Sequence, residues 1–408
     1  MAEKNIVINL TLIITSIFIG FTLCELGLRL YYYGSLSEPL PGIRLRQAHE
    51  TLGWCLRPNM TGFNQTFDYT VRVSTNSKGL RDIEHDYKKE NGVYRIIVLG
   101  DSFMEAYQVP LEQSFPRILE KKINNELSAR VEVVNLGVGG YGTAQEYLYL
   151  KEEGLKYKPD LVILAFLSSN DVRNNSRTLE KKLWRGRNIF KIEGRPFFTK
   201  DDQGYLELHA PDFKTALIAG DKRDTELVKI RKERNYKDKL LLYQMVSKGL
   251  KRITEDVRYP TYEVNPLLGT YFHEYDKDWE EAWDITKRII VATKKISKEA
   301  GASFLLFTVP SKFQVESDYY NKAMKLYLKK DPKLKVDLEK PDNILRKFSQ
   351  ENKIHYLSLL KKFRENYKKG DRKLYFSLQD RHWNKNGHEL AADIIVNYVI
   401  ENKFILSP

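Results

Sequence analysis

A serine, a histidine and an aspartate in this chain have the side-chain types and local settings that acyl transfer through a hydroxyl nucleophile requires. Such chemistry needs a positioned hydroxyl, a base to take its proton and donors for the developing oxyanion. Ser102 follows the apolar run 94–99 and Gly100, where a buried strand ends and the backbone can bend. Read alone, Ser102 serves equally well as the cap of the next helix. Among the seven histidines, His382 is the best base, because Asp380 two residues earlier can orient its ring. Without that partner, His382 would read as a surface histidine before a helix. The order serine, aspartate, histidine is compatible with a triad, which geometry defines rather than chain order.

The donors are as informative as the nucleophile. The glycine-rich loop 137–142 can offer a backbone N–H without side-chain crowding, and Asn170 can offer an amide. With the Ser102 N–H, these make a three-donor oxyanion hole. The competing reading of the loop is a dinucleotide site, but residues 135–143 give no G-x-G-x-x-G opening a helix, and no G-x-x-x-x-G-K-[ST] occurs. No His, Cys and carboxylate grouping has metal-ligand spacing, so neither metal nor cofactor is expected. Cys24 and Cys55 cannot build a disulfide framework or a zinc site. Asp101 and Asp171 read as turn-stabilising, and His388 as a surface or core residue of the last helix.

The elements that must position these residues alternate. Apolar runs at 94–99, 131–135, 159–167, 302–309 and 354–359 read as buried strands. Helical patterns at 114–125, 143–157, 278–299 and 386–401 separate or follow them, and the lysine-rich stretch 319–330 reads as a solvated helical face. This predicts a three-layer α/β/α fold with a doubly wound, mainly parallel five-stranded sheet of flavodoxin-like type, its ligand site at the strands' carboxyl ends.

Ahead of this pattern, residues 5–24 carry no charge, and about 20 such residues span a bilayer as a helix. A cleaved signal peptide is the competitor, but the residues that follow lack small side chains in an A-x-A arrangement, so an uncleaved anchor is expected. Charge does not fix its orientation. Residues 66–74 alternate like a strand, and 76–79 signal a turn. The span 172–276 is polar and basic, with an amphipathic helix at 237–253 that either docks on the core or lies on an anionic membrane. The formal charge of +13 and pI near 9.3 suit an anionic neighbour: nucleic acid, a membrane surface or an acidic glycan. A lysine-rich composition without such a partner explains the charge equally well.

In four separated blocks the chain resembles the SGNH or GDSL hydrolase superfamily. Gly100-Asp101-Ser102-Phe103 is similar to the nucleophile block and Asn135 to Thr143 to the second. Asn170-Asp171 is similar to the third and Asp380-Arg381-His382 to the last. The resemblance implies Ser102 as nucleophile, Gly140 and Asn170 as oxyanion donors beside the Ser102 N–H, and Asp380 and His382 as acid and base. The last block has Asp-x-His followed by Trp-Asn where Asp-x-x-His is common, a spacing also found in related envelope O-acetyl esterases and acetyltransferases. Leu52-Gly53-Trp54, Arg57-Pro58 and Asn76 to Arg81 resemble a bacterial membrane-anchored subgroup, which implies an envelope enzyme acting on acyl esters near polysaccharide machinery.

The expected organisation is therefore a transmembrane anchor (1–30), a β-rich juxtamembrane segment (31–93) and a hydrolase-like domain (94–408) interrupted at 172–276. The expected activity is that of a membrane-anchored, extracytoplasmic serine esterase acting on acyl esters, O-acetyl esters above all, with an envelope glycan as the partner. Two alternatives stay open: an O-acyltransferase that passes the acyl group to a sugar hydroxyl at the same site, and a non-catalytic envelope scaffold. Nucleic-acid binding rests on net charge alone and is not expected.

Overall fold

In the computed structural model the described residues are 2–33, 45–66, 68–184, 192–214, 242, 268–370, 372–377 and 380–405. The uncharged N-terminal run lies in one helix, Ala2–Tyr33, whose stretch Asn5–Leu30 is long and apolar enough to cross a bilayer. A signal sequence would satisfy the same description. Two antiparallel hairpins follow. β1 (Arg46–His49) pairs with β2 (Gly53–Leu56), and β3 (Thr61–Gln65) pairs with β4 (Thr70–Ser74). β4 alternates exposed and buried residues, as its sequence pattern requires. In the turn after it, Asn76 accepts N–H bonds from Lys78 and Leu80, and Gly79 takes φ +75°.

Runs made mostly of apolar residues need cover on both faces, which a parallel sheet between two helical layers supplies. The central sheet is built from β5 (Tyr94–Leu99), β6 (Val131–Asn135), β7 (Leu161–Phe166), β10 (Ser303–Thr308) and β11 (His355–Ser358); β8 (Phe197–Lys200) and β9 (Leu206–His209) form a separate hairpin. The order β11-β10-β7-β5-β6 is parallel throughout. Alternate residues face opposite cores. Ile97, Leu99, Val162 and Leu164 meet the helices Thr143–Glu152, Lys277–Glu299 and Lys340–Glu351. Ile96, Val98, Leu161 and Ile163 meet the helices Phe115–Leu127, Leu360–Lys369 and Lys385–Glu401. The outer N–H groups of β6, an edge strand, are not left bare. Asn124, Glu120 and Asp82 accept from Val131, Val133 and Asn135 at 2.7, 2.7 and 2.8 Å, which blunts the edge against further pairing.

The chain runs from β5 to β6 on one side and then to β7 on the other. The order of connection thus reverses at β5, and the crevice at its carboxyl end lies between the segments that follow β5 and β7. Helix Ser317–Lys330 is solvated on one face only: Ala323, Met324 and Tyr327 are buried in a small cluster with Leu268 and Tyr271. The expected helix 237–253 lies outside the described residues except for position 242. Within 172–276, the hairpin β8–β9 had no clear sequence signal.

Candidate active site

Gly100 ends β5 under tight packing; a Cβ there would come within 2.4 Å of Met104 Cγ. Asp101 then caps a single helical turn, Ser102–Glu105, by accepting the Phe103 N–H at 2.9 Å. Ser102 therefore stands at the first helical position, above the sheet's carboxyl edge. Its Oγ lies 2.7 Å from His382 Nε2. On the other side of that ring, Nδ1 lies 2.6 Å from Asp380 Oδ1, and the His382 backbone N–H donates to the same oxygen at 2.8 Å. With one residue between them, the aspartate grips both the backbone and the ring of the histidine. Asn384 caps the Lys385–Glu401 helix directly afterwards, and buried Trp383 anchors the segment below. Phe103 packs on the His382 ring, centroids 4.8 Å apart. Burial alone would raise the Asp380 carboxyl, but the hydrogen bonds and charge of His382 and the Tyr69 hydroxyl outweigh it and bring the group to about 2.

The oxyanion candidates are tied to the Ser102 turn through its neighbours: Asn170 through Asp101, and the loop before Gly140 through Gly139. Among the described residues, neither the Ser102 N–H nor the Gly140 N–H has a partner. The loop before Gly140 packs against Ser102, since a Cβ on Gly139 would lie 3.4 Å from Ser102 Cβ. That Cβ would also lie 2.4 Å from Arg46 Nη2 and 2.5 Å from Glu105 Oε2, so a side chain there would displace the Arg46–Glu105 pair. Gly140 takes φ +83°, in the left-handed region that favours glycine. Asn170 stands at the N-cap position of the helix Asp171–Asn174 without a side-chain cap bond; its amide donates one N–H to Asp101 Oδ2 at 2.9 Å and carries a second. Asp101 thus ties the nucleophile turn to the Asn170 turn. Burial raises the Asp101 carboxyl, against the Asn170 hydrogen bond. Asp171 holds its own turn through the Leu167 N–H at 2.7 Å. His388 is buried inside the last helix, and desolvation together with Arg81 and His382 lowers it to about 3, so it is neutral and outside the relay.

Several residues that hold this geometry had no assigned role in the sequence. Buried Glu105 accepts the Gly139 N–H and pairs with Arg46 at 3.0 Å. Trp54 Nε1 donates to the Gly139 carbonyl at 3.4 Å. The peptide is planar and trans, so this turns the Gly140 N–H to the opposite side. Arg195 Nη2 donates to the Gly140 carbonyl at 2.8 Å. Buried Arg81 donates to the carbonyls of Glu105 and Val109 at 3.0 and 2.6 Å. These contacts give a physical sense to the stretches Leu52-Gly53-Trp54 and Asn76 to Arg81. Gly53 has φ +79°, and a Cβ there would meet the Gly194 carbonyl at 1.8 Å. The available signal was a buried-type spacing of Trp and Gly, and a lone carboxylate three residues after the serine.

A cavity of about 220 Å³ opens beside the site, lined by Phe103, Asn170, Tyr271, Tyr319, Arg381 and His382 among others. A larger groove of about 660 Å³, bordered by Tyr320, Met324 and Lys335, contains none of the site residues. Among the described residues, no group of three or more His, Cys, Asp or Glu is arranged to hold a metal ion.

No family model matches the chain, and no curated protein matches it. Among solved structures, it is similar to the acetyl xylan esterase AlAXEase (15% identity, 75% of this chain and 99% of that one, TM-score 0.36). It is also similar to a lipase/acylhydrolase from Enterococcus faecalis (12% identity, 76% and 96%, TM-score 0.37). A third likeness is to an acetylxylan esterase from Geobacillus stearothermophilus (10% identity, 75% and 94%, TM-score 0.36). Identities and TM-scores this low leave the reaction to be read from the side chains around Ser102.

Proposed function

We propose that this chain is a serine ester hydrolase of the SGNH kind, tethered to a membrane through Asn5–Leu30 and acting on acyl esters outside the cytoplasm. The observation that carries the reading is the unbroken relay from Ser102 Oγ to His382 Nε2 and from His382 Nδ1 to Asp380, joining residues 280 positions apart. Ser102 Oγ attacks the ester carbonyl while His382 Nε2 takes its proton. Asp380 keeps the ring's other proton on Nδ1 and stabilises the imidazolium. The Ser102 N–H, the Gly140 N–H and the Asn170 amide take the oxyanion. His382 then gives its proton to the leaving alcohol. Water, deprotonated by the same nitrogen, releases the acid from the acyl-enzyme.

The neighbouring cavity supports a glycan carrying O-acetyl groups as the substrate. At about 220 Å³ it exceeds the roughly 150 Å³ that accommodates a benzene ring. Its wall includes the Tyr319 ring with Lys312 Nζ and the Arg381 guanidinium carbon 5.3 and 5.8 Å from the ring centroid. An aromatic face in the wall suits the apolar face of a sugar ring.

The test is acetate release from a small activated acetate ester and from acetylated oligosaccharides. The full chain in detergent is compared with Ser102→Ala. Ser102-dependent release is expected from both substrates. Folded wild-type protein with no such release would sink the reading. Acetyl groups appearing on an added oligosaccharide, in place of free acetate, would convert it to an acyltransferase.

A further inference from the structure

Asp380 has a second oxygen that the triad does not use. His382 occupies Oδ1 with its ring and its backbone, whereas Oδ2 accepts the Tyr69 hydroxyl at 2.8 Å. Tyr69 stands immediately before β4, 311 positions from Asp380. Asn64 Nδ2, in β3, donates to the Tyr69 hydroxyl oxygen at 3.3 Å, which leaves the hydroxyl proton to the carboxylate. The adjacent Asp68 accepts the Asp380 backbone N–H at 2.8 Å. The Tyr69 ring packs on Phe376, centroids 4.9 Å apart. One hairpin therefore grips residue 380 by its backbone and its side chain.

We propose that Tyr69 is a positioning residue of the relay: it fixes the Asp380 carboxylate with Oδ1 on His382 and tempers how strongly that carboxylate draws on the ring proton. The inference rests on reading Ser102, His382 and Asp380 as a triad. Losing a donor makes a carboxylate more basic, which stabilises the imidazolium and raises the histidine. Burial raises the Tyr69 hydroxyl, so it stays a donor at neutral pH. The titratable and charged groups facing Asp380 are His382, Tyr69, Asp68 and Tyr107; those facing His382 are Asp380, Asp101 and His388. All except Tyr69 are retained in the variant that tests the proposal.

That variant is Tyr69→Phe in the full chain, which keeps the ring on Phe376. It is expected to lower kcat about tenfold with KM unchanged, as loss of one hydrogen bond to a charged group would. The acid limb of kcat/KM should move to higher pH. The His382 titration, followed by NMR of ring-labelled histidine, should move the same way and needs no substrate. An unmoved His382 titration overturns the proposal. Should Tyr69→Phe fail to fold, Asn64→Ala leaves Tyr69 in place but frees its hydroxyl; a smaller upward shift is expected, and no shift overturns the proposal. Labelling of Ser102 by a fluorophosphonate tests the underlying reading separately. Wild type that is folded but unlabelled refutes the esterase, while the titration still decides on Tyr69.

Discussion

The carboxyl edge of the sheet and the segment 45–81 meet at one site, but they contribute different things to it. The edge supplies the groups to which the proposed reaction assigns the chemistry: Ser102 after β5, Asn170 after β7, and His382 ahead of the last helix. The segment supplies Trp54, Tyr69 and Arg81, bonded to Gly139 beside Gly140, to Asp380 beside His382 and to Glu105 in the Ser102 turn. Parallel topology gathers the first set at a crevice without further help. The second set belongs to no strand of that sheet and reaches it only through side chains. Placing reactive groups and fixing their orientation are thus tasks of different parts of the chain, and mutations should separate them.

If the division holds, losses at the edge should be far larger than losses in the segment. Ser102→Ala should cut kcat on the order of 10⁶-fold, leaving thermal unfolding unchanged. Asp380→Asn should cost about 10⁴-fold, since it favours the wrong His382 tautomer. Asn170→Ala should cost about 10²–10³ in kcat with KM little changed, both read from steady-state kinetics. Trp54→Phe, which removes one donor from the Gly139 carbonyl, should cost only about 2–10-fold in kcat. A Trp54→Phe loss as large as that of Asn170→Ala would break the comparison.

Two further measurements sharpen it through stability. Gly53→Ala forces a side chain into a left-handed position and against the Gly194 carbonyl, so a urea midpoint should record a loss of about 2 kcal/mol or more. The Asp380 carboxyl sits near 2 in the folded chain against an ordinary 3.8, so its contribution is complete above about pH 4 and is lost as pH falls through about 2. Acid-unfolding curves of wild type and Asp380→Asn should differ at pH 5 and converge below pH 2; a constant gap across that range would contradict the linkage.

The strands of the sheet were legible because the inner ones are apolar runs that need burial on both faces, bounded by small or polar residues, and the edge strand β11 is a short run between two helices. Ser102, Asn170 and the His382 pair were legible for a related reason: they stand just past those runs or just before a strongly patterned helix. Helices Lys340–Glu351 and Leu360–Lys369 went unread because few apolar residues interrupt their charge. Glu105 had no assigned role in the sequence; its burial and its pairing with Arg46 come only when the fold closes over it.

Local pattern by itself determined where the five strands of the central sheet lie, and chemical type determined which serine, histidine and aspartate deserved notice. Only the tertiary structure decided that Tyr69 meets Asp380, that Trp54 and Arg195 hold the two carbonyls around Gly140, and that β5 lies between β6 and β7. The physical reason is range. Burial periodicity is written within a few neighbouring residues, whereas a hydrogen bond across 311 positions exists only once the chain has closed into one arrangement.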